Sequence, residues 1–189
     1  MSEAVNESEN PEEGSKEPVQ TSRYRILSES WRKVMAAMTA CSILLAINQI
    51  FNLGFFVGYV VLDSRYMYMI TGVMLCMVFI TFPANRHSPT HVPWYDIAIM
   101  IVIAIIFSYY AYYAERIVLE AWEYAAPQIG IWLAMVTWVI VLEAGRRAGG
   151  WPVFAIVLVF SLYPTFAASL PNVIAALSIP IQEVAIFHV

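Results

Sequence analysis

The chain has 189 residues, of which 60% are hydrophobic and only 13% charged, with a formal net charge of -4. A mean hydropathy of +0.67 is too apolar for a soluble domain of this size, so the composition predicts an all-α integral membrane protein. The negative balance is concentrated at the N-terminus (Glu3, Glu7, Glu9, Glu12, Glu13 and Glu17), and no basic patch alternates with aromatics, which argues against a nucleic-acid partner.

In chain order, residues 1–22 read as a disordered cytoplasmic tail, because acidic residues among Pro, Ser, Asn and Gly cannot bury enough apolar surface to fold. The tail lacks the basic-then-apolar order of a secretory signal, so it is expected to be neither cleaved nor exported. Five apolar runs follow, each near the roughly 20 residues a helix needs to cross about 30 Å of hydrocarbon. The first runs from about Val34 to Val61, longer than one perpendicular crossing, with Gly54 and Gly58 as places to tilt, kink or break. Asp63, Ser64 and Arg65 turn the chain. The second run spans Tyr66 to about Phe82 and stops at Pro83, which cannot extend a helix without losing a backbone hydrogen bond. The third runs from near Tyr95 to Ala114, with Tyr109, Tyr110, Tyr112 and Tyr113 as an expected interfacial belt. The fourth extends from about Gln128 to Leu142 and the fifth from about Trp151 to Phe166; a last amphipathic piece lies between Pro171 and Val189. The expected architecture is a bundle of about five transmembrane helices.

Lys and Arg set the expected orientation, since cytoplasmic loops keep an excess of them. With the N-terminus cytoplasmic, Arg23, Arg25, Arg32, Lys33, Arg86, Arg146 and Arg147 lie inside and only Arg65 and Arg116 outside. The expected location is a prokaryotic cytoplasmic (inner) membrane.

Catalytic patterns are missing from the sequence. His87, His91 and His188 fall in loops or at the end, so no pair can face inward to ligate haem. Cys41 and Cys76 lie inside apolar runs and read as packing residues rather than metal ligands. Neither a Ser-His-Asp set, a phosphate-cradling glycine loop nor a metalloprotease helix can be assembled. The expectation is a protein that is not an enzyme and that binds no cofactor or metal itself.

The polar residues inside the runs are few. Asn48 and Asn52 share a helical face beside Gln49, and with Gly54 they are candidate helix–helix contacts, small residues and amides favouring a neighbouring helix over lipid. Asp96, near the start of the third run, reads as a cap interacting with the helix dipole. Glu143 precedes Arg147 by one turn, which predicts an intrahelical ion pair, with Arg146 and Arg147 reaching lipid phosphate. Together with Trp94 and Trp151, these three residues are the candidate interfacial anchors. The segment VLEAGRRAGGWP then reads as a helix end, a glycine stop and a restart at the membrane surface.

The same segment carries a resemblance. VLEAGRRAGGWPVFAIVLVFSLYPTFA, preceded by FNLGFFVGYVVLDSRYMYMITGVMLCMVFITFP, HVPWYDIAI and LEAWEYAAP, resembles the N-terminal part of the fused membrane protein of TAXI-type TRAP transporters, from about Phe51 onward. That resemblance implies sodium-coupled secondary transport of organic acids. In such systems a periplasmic TAXI-type binding protein delivers the substrate, a large permease moves it by an elevator motion, and a four-helix small region braces the permease. Residues 23–147 would be the small-subunit-like region, and 148–189 the connecting helix and start of the large permease region. Sodium would be the coupling ion of the whole transporter and not bound by this chain, whose implied partners are the permease, the binding protein and membrane lipids. The chain stops before the bulk of the permease, which implies either a fragment or a separately encoded permease. Two readings from other classes compete: a membrane anchor or assembly scaffold unrelated to transport, and the membrane subunit of an oxidoreductase.

Overall fold

The computed structural model describes residues 24–54, 61–84, 91–169, 171 and 177–187. Among them the regular structure is entirely helical: α1 (Glu29–Phe51), α2 (Asp63–Thr81), α3 (Trp94–Leu119), the single turn α4 (Trp122–Ala125), α5 (Gln128–Phe166), a 3-10 turn (Ala167–Ser169) and α6 (Ile181–Phe187). Four of these stretches are long and apolar enough to cross a membrane: α1, α2, α3 and the stretch Gln128–Ser169.

Local chemistry sets three boundaries, of which the end of α3 lies beyond the expected one. The first run does not continue as one helix; α1 ends at Phe51, where Asn52 takes a left-handed conformation and returns its N–H to the Asn48 carbonyl. Asn tolerates that conformation better than most side chains. Gly58 lies outside the described residues. At its far end α3 continues through Glu115 and Arg116 to Leu119, because Arg116 and Glu120, one turn apart, pair at 2.8 Å and satisfy each other in water. The helix of the fourth run continues past Leu142, as the Glu143–Arg147 spacing predicts, because Glu143, Arg146 and Arg147 neutralise one another along it.

The fourth and fifth runs form the two arms of α5, whose helical regularity breaks at Gly150 (φ 79°, ψ -175°). The break is a reversal. Trp138 Nε1 donates to Ser161 Oγ across 23 residues of sequence, positions that a straight helix would hold about 34 Å apart. The arms 128–149 and 151–166 therefore lie side by side as a hairpin. Pro152 stands in the first turn of the second arm, where a missing N–H costs no helical bond.

The packed centre lies between α2 and α3, around Leu75, Phe79, Ile103, Ile106, Phe107 and Tyr110. Their backbones approach closely because Gly72 carries no side chain; a Cβ there would sit 2.7 Å from Phe107 Cβ. In lipid such close packing, more than exclusion of water, drives helices together. Tyr110 is 2% exposed and belongs to this core rather than to the aromatic belt, whereas Tyr112 is open to the surroundings. α1 and the second arm of α5 carry most of their large apolar side chains exposed, among them Ile43, Leu44, Ile50, Ile156, Val159 and Phe160.

Candidate functional site: a buried ion cluster at one end of the bundle

The helix ends divide the charges between two ends. At one end lie the segment before α1, the C-terminus of α2, the N-terminus of α3 and the Gly150 turn; Arg25 N–H donates to the Thr81 carbonyl there. At the other, Gln49 donates to Asp63 and Arg65 Nε donates to the Ala111 carbonyl. Arg25, Arg146 and Arg147, grouped by the sequence on one side, are thus brought to the same end.

That end holds the buried polar centre of the protein. Asp96 sits in the first turn of α3 with 0% exposure, and each of its oxygens accepts from a different guanidinium: Oδ2 from Arg25 Nη2 at 2.6 Å and Oδ1 from Arg147 Nη1 at 2.7 Å. The Arg25 and Arg147 side chains are 1% and 3% exposed. Arg147 Nε reaches back one turn to Glu143 at 2.8 Å, and Glu143 also takes two hydrogen bonds from Arg146. The Arg147 guanidinium lies 4.7 Å from the Phe79 ring centroid, a cation–π contact that ties α2 into the cluster. One carboxylate thus links the segment before α1, α3 and α5, and a stacked ring adds α2.

Several expectations are corrected here. Asp96 makes no side-chain cap; its carboxylate is wholly engaged by the two arginines, while its first-turn position still suits the helix dipole. The Glu143–Arg147 pair expected from the spacing is formed, but the Arg147 guanidinium turns inward onto Asp96 instead of out to lipid phosphate. Arg146 stays at the rim, 5.4 Å from the Trp151 ring centroid. Trp94 and Trp151 are both exposed, Trp94 packing edge-on against Tyr95. Asn48 and Gly54 are half-buried and Asn52 is exposed. His91 is exposed, and His87 and His188 lie outside the described residues. Arg25 was legible only as one more inside positive; a buried Asp near several arginines was the signal, since a charge in a membrane demands a partner.

Two Arg25 nitrogens, Nε and Nη1, are buried and make no hydrogen bond to the described residues. With three guanidiniums and two carboxylates the cluster is suited to fixing helices together. Among the described residues no group of His, Cys, Asp and Glu is placed to hold a metal ion.

The corner at the opposite end carries a pH-dependent contact. Glu120 accepts from the Trp122 indole N–H at 2.9 Å and from Arg116, and these contacts hold its carboxyl below the usual glutamate range, the indole bond first. A depressed carboxyl pKa means the contact is complete above the ordinary value of about 4.3 and is lost as pH falls through the lower folded-state value. In a protein retaining only Trp122, acidification below pH 4 should shift the indole emission, and Glu120→Gln should remove that shift. An identical acid transition in the Gln variant would assign the titration elsewhere.

Fold and cluster together define a multi-pass α-helical membrane protein whose buried charges tie its helices to one another. The chain matches no protein-family model, and no curated protein or solved structure shows significant similarity to it.

Proposed function

We propose that the chain is the bracing, small-subunit-like part of a sodium-coupled, binding-protein-dependent TRAP transporter of the TAXI type. The resemblance of its ordered strings, from FNLGFFVGYVV to VLEAGRRAGGWP, supplies the family. One observation carries the mechanical role. The buried charges bind the helices to each other at one end, while α1 and the second arm of α5 carry broad exposed apolar flanks among the described residues. A body locked internally and apolar laterally is suited to hold still against a larger membrane partner as another part moves.

In this reading the chain crosses the membrane five times, both arms of α5 included, with the Arg25–Asp96–Arg147 end in the cytoplasm. An impermeant maleimide added from outside should label a cysteine placed at Glu120 and spare one placed at His87; the opposite pattern would invert the topology.

The function is tested by affinity purification from the native membrane together with reconstitution. A large multi-spanning permease should accompany the chain. Liposomes containing the chain alone, given a sodium gradient, a TAXI-type binding protein and candidate organic acids, should take up no more than empty liposomes. Uptake by the isolated chain would show a substrate path, and purification without a permease would favour an anchor unrelated to transport.

A further inference from the structure

At the end opposite the ion cluster a cavity of about 330 Å³ opens between α2, α3, α4, α5 and α6, within the range of small-ligand sites. Four aromatic rings line it, each from a different element: Tyr68 of α2, Tyr110 of α3, Trp122 of α4 and Phe187 of α6. An ordinary interfacial belt points such rings at lipid. Here Tyr110 and Trp122 are only 2% and 6% exposed, and the Tyr68 and Tyr110 ring centroids are 5.3 Å apart.

The position of Trp122 is fixed from two sides. Its indole N–H donates to Glu120, and its ring packs on Gly130, where a Cβ would meet it at 3.2 Å. Tyr113 stacks on Trp122 at 6.4 Å, and Tyr124 meets Phe187 edge-on at 6.0 Å, so the lining rings are themselves supported.

The lining rings bias the cavity toward cations, and the Arg116 and Glu120 charges beside it offset each other as an ion pair. Ring faces carry partial negative charge. Ile117 and Val118, which also line it, belong to the last turn of α3, where the helix dipole adds more. No charged side chain lines the cavity among the described residues. The fold already holds one cation on this cluster, Arg116 lying 5.8 Å from the Tyr113 ring centroid. A metal ion would have to shed its water for ring faces and find no carboxylate. A fully alkylated ammonium is apolar at its surface and loses little hydration on entering an aromatic cage.

We propose that this cavity binds a quaternary ammonium group, presented either by a free organic cation or by a choline-type lipid headgroup. This goes beyond the bracing role and does not depend on it, since the described lining residues all belong to this chain.

The test uses the full purified chain in detergent, with radiolabelled choline in equilibrium dialysis. Single-Trp protein retaining Trp122 gives a second readout through indole emission. The controls are 3,3-dimethylbutan-1-ol, the uncharged isostere of choline, and the short-chain lipids dibutyrylphosphatidylcholine and dibutyrylphosphatidylethanolamine. Choline should bind saturably and the neutral isostere about tenfold or more weakly. Phe187→Leu, which alters a half-exposed ring on the short α6, should weaken choline by about two- to tenfold without changing thermal stability. Competition by the phosphatidylcholine alone among the two lipids would identify a headgroup as the source, and choline binding without lipid competition would identify a free cation. Equal binding of the neutral isostere, an unaffected Phe187→Leu variant, or no saturable choline binding by either readout would overturn the proposal.

Discussion

Replacing Asp96 by Asn should cost about 3–5 kcal/mol of unfolding free energy, the range for removing one member of a buried ion pair. The amide keeps the size of the carboxylate, so packing is preserved and the effect is electrostatic. Two guanidiniums, 1% and 3% exposed, would then face a neutral group, with only Glu143 left to compensate Arg147. Glu143→Gln should cost much less, because Glu143 is 30% exposed and Arg147 retains Asp96. Chemical unfolding of the purified protein in mild detergent measures both. Combining Asp96→Asn with Arg147→Met should cost less than the sum of the single changes, since a neutral pair leaves one stranded charge fewer. A loss below about 1 kcal/mol for Asp96→Asn would mean that the cluster does not hold the helices.

How far the sequence foretold this arrangement depends on the range of the interaction. Helix positions follow from apolar length, and Pro83 and Gly150 mark boundaries through rules that act within a few residues. The Glu143–Arg147 pair follows from helical spacing in the same way. Asp96 was misread because its partners lie 71 and 51 residues away, and only the packing of α3 between its neighbours brings them together. Arg147 was misread for the complementary reason. Periodicity alone does not say which face of a lipid-embedded helix meets another helix, and an arginine at a membrane surface satisfies the same pattern facing outward. Asn52 illustrates a third limit, because its amide suggested a partner helix while its backbone ends the helix. The aromatic cage was partly visible as tyrosines near the end of the third run, but Phe187 and Tyr68 join it only through tertiary contact.

Gly150→Ala should open the α5 hairpin. The residue adopts φ 79°, ψ -175°, a region that is essentially confined to glycine, and a side chain there costs about 1–3 kcal/mol in backbone strain alone. The neighbouring position gives no room for relief, because a Cβ on Gly149 would lie 2.6 Å from Val153 Cβ, a branched atom attached directly to the second arm. Strain at this turn is levered along both arms, which lie close enough for Trp138 Nε1 to donate to Ser161 Oγ. Cysteines placed at Trp138 and Ser161 in a background lacking Cys41 and Cys76 should be joined efficiently by a short bis-maleimide in the parent protein. In Gly150→Ala the yield should fall severalfold, and Gly149→Ala should behave similarly. The ion cluster supplies an internal control, since Arg147 precedes the turn by less than one helical turn and its contact with Asp96 belongs to the first arm. Asp96→Asn should therefore lower stability while leaving the cross-link in the folded fraction, whereas Gly150→Ala should lower the cross-link yield while leaving the first arm attached. Equal cross-linking of parent and Gly150→Ala proteins would show that packing between the arms, not the glycine, sets the reversal.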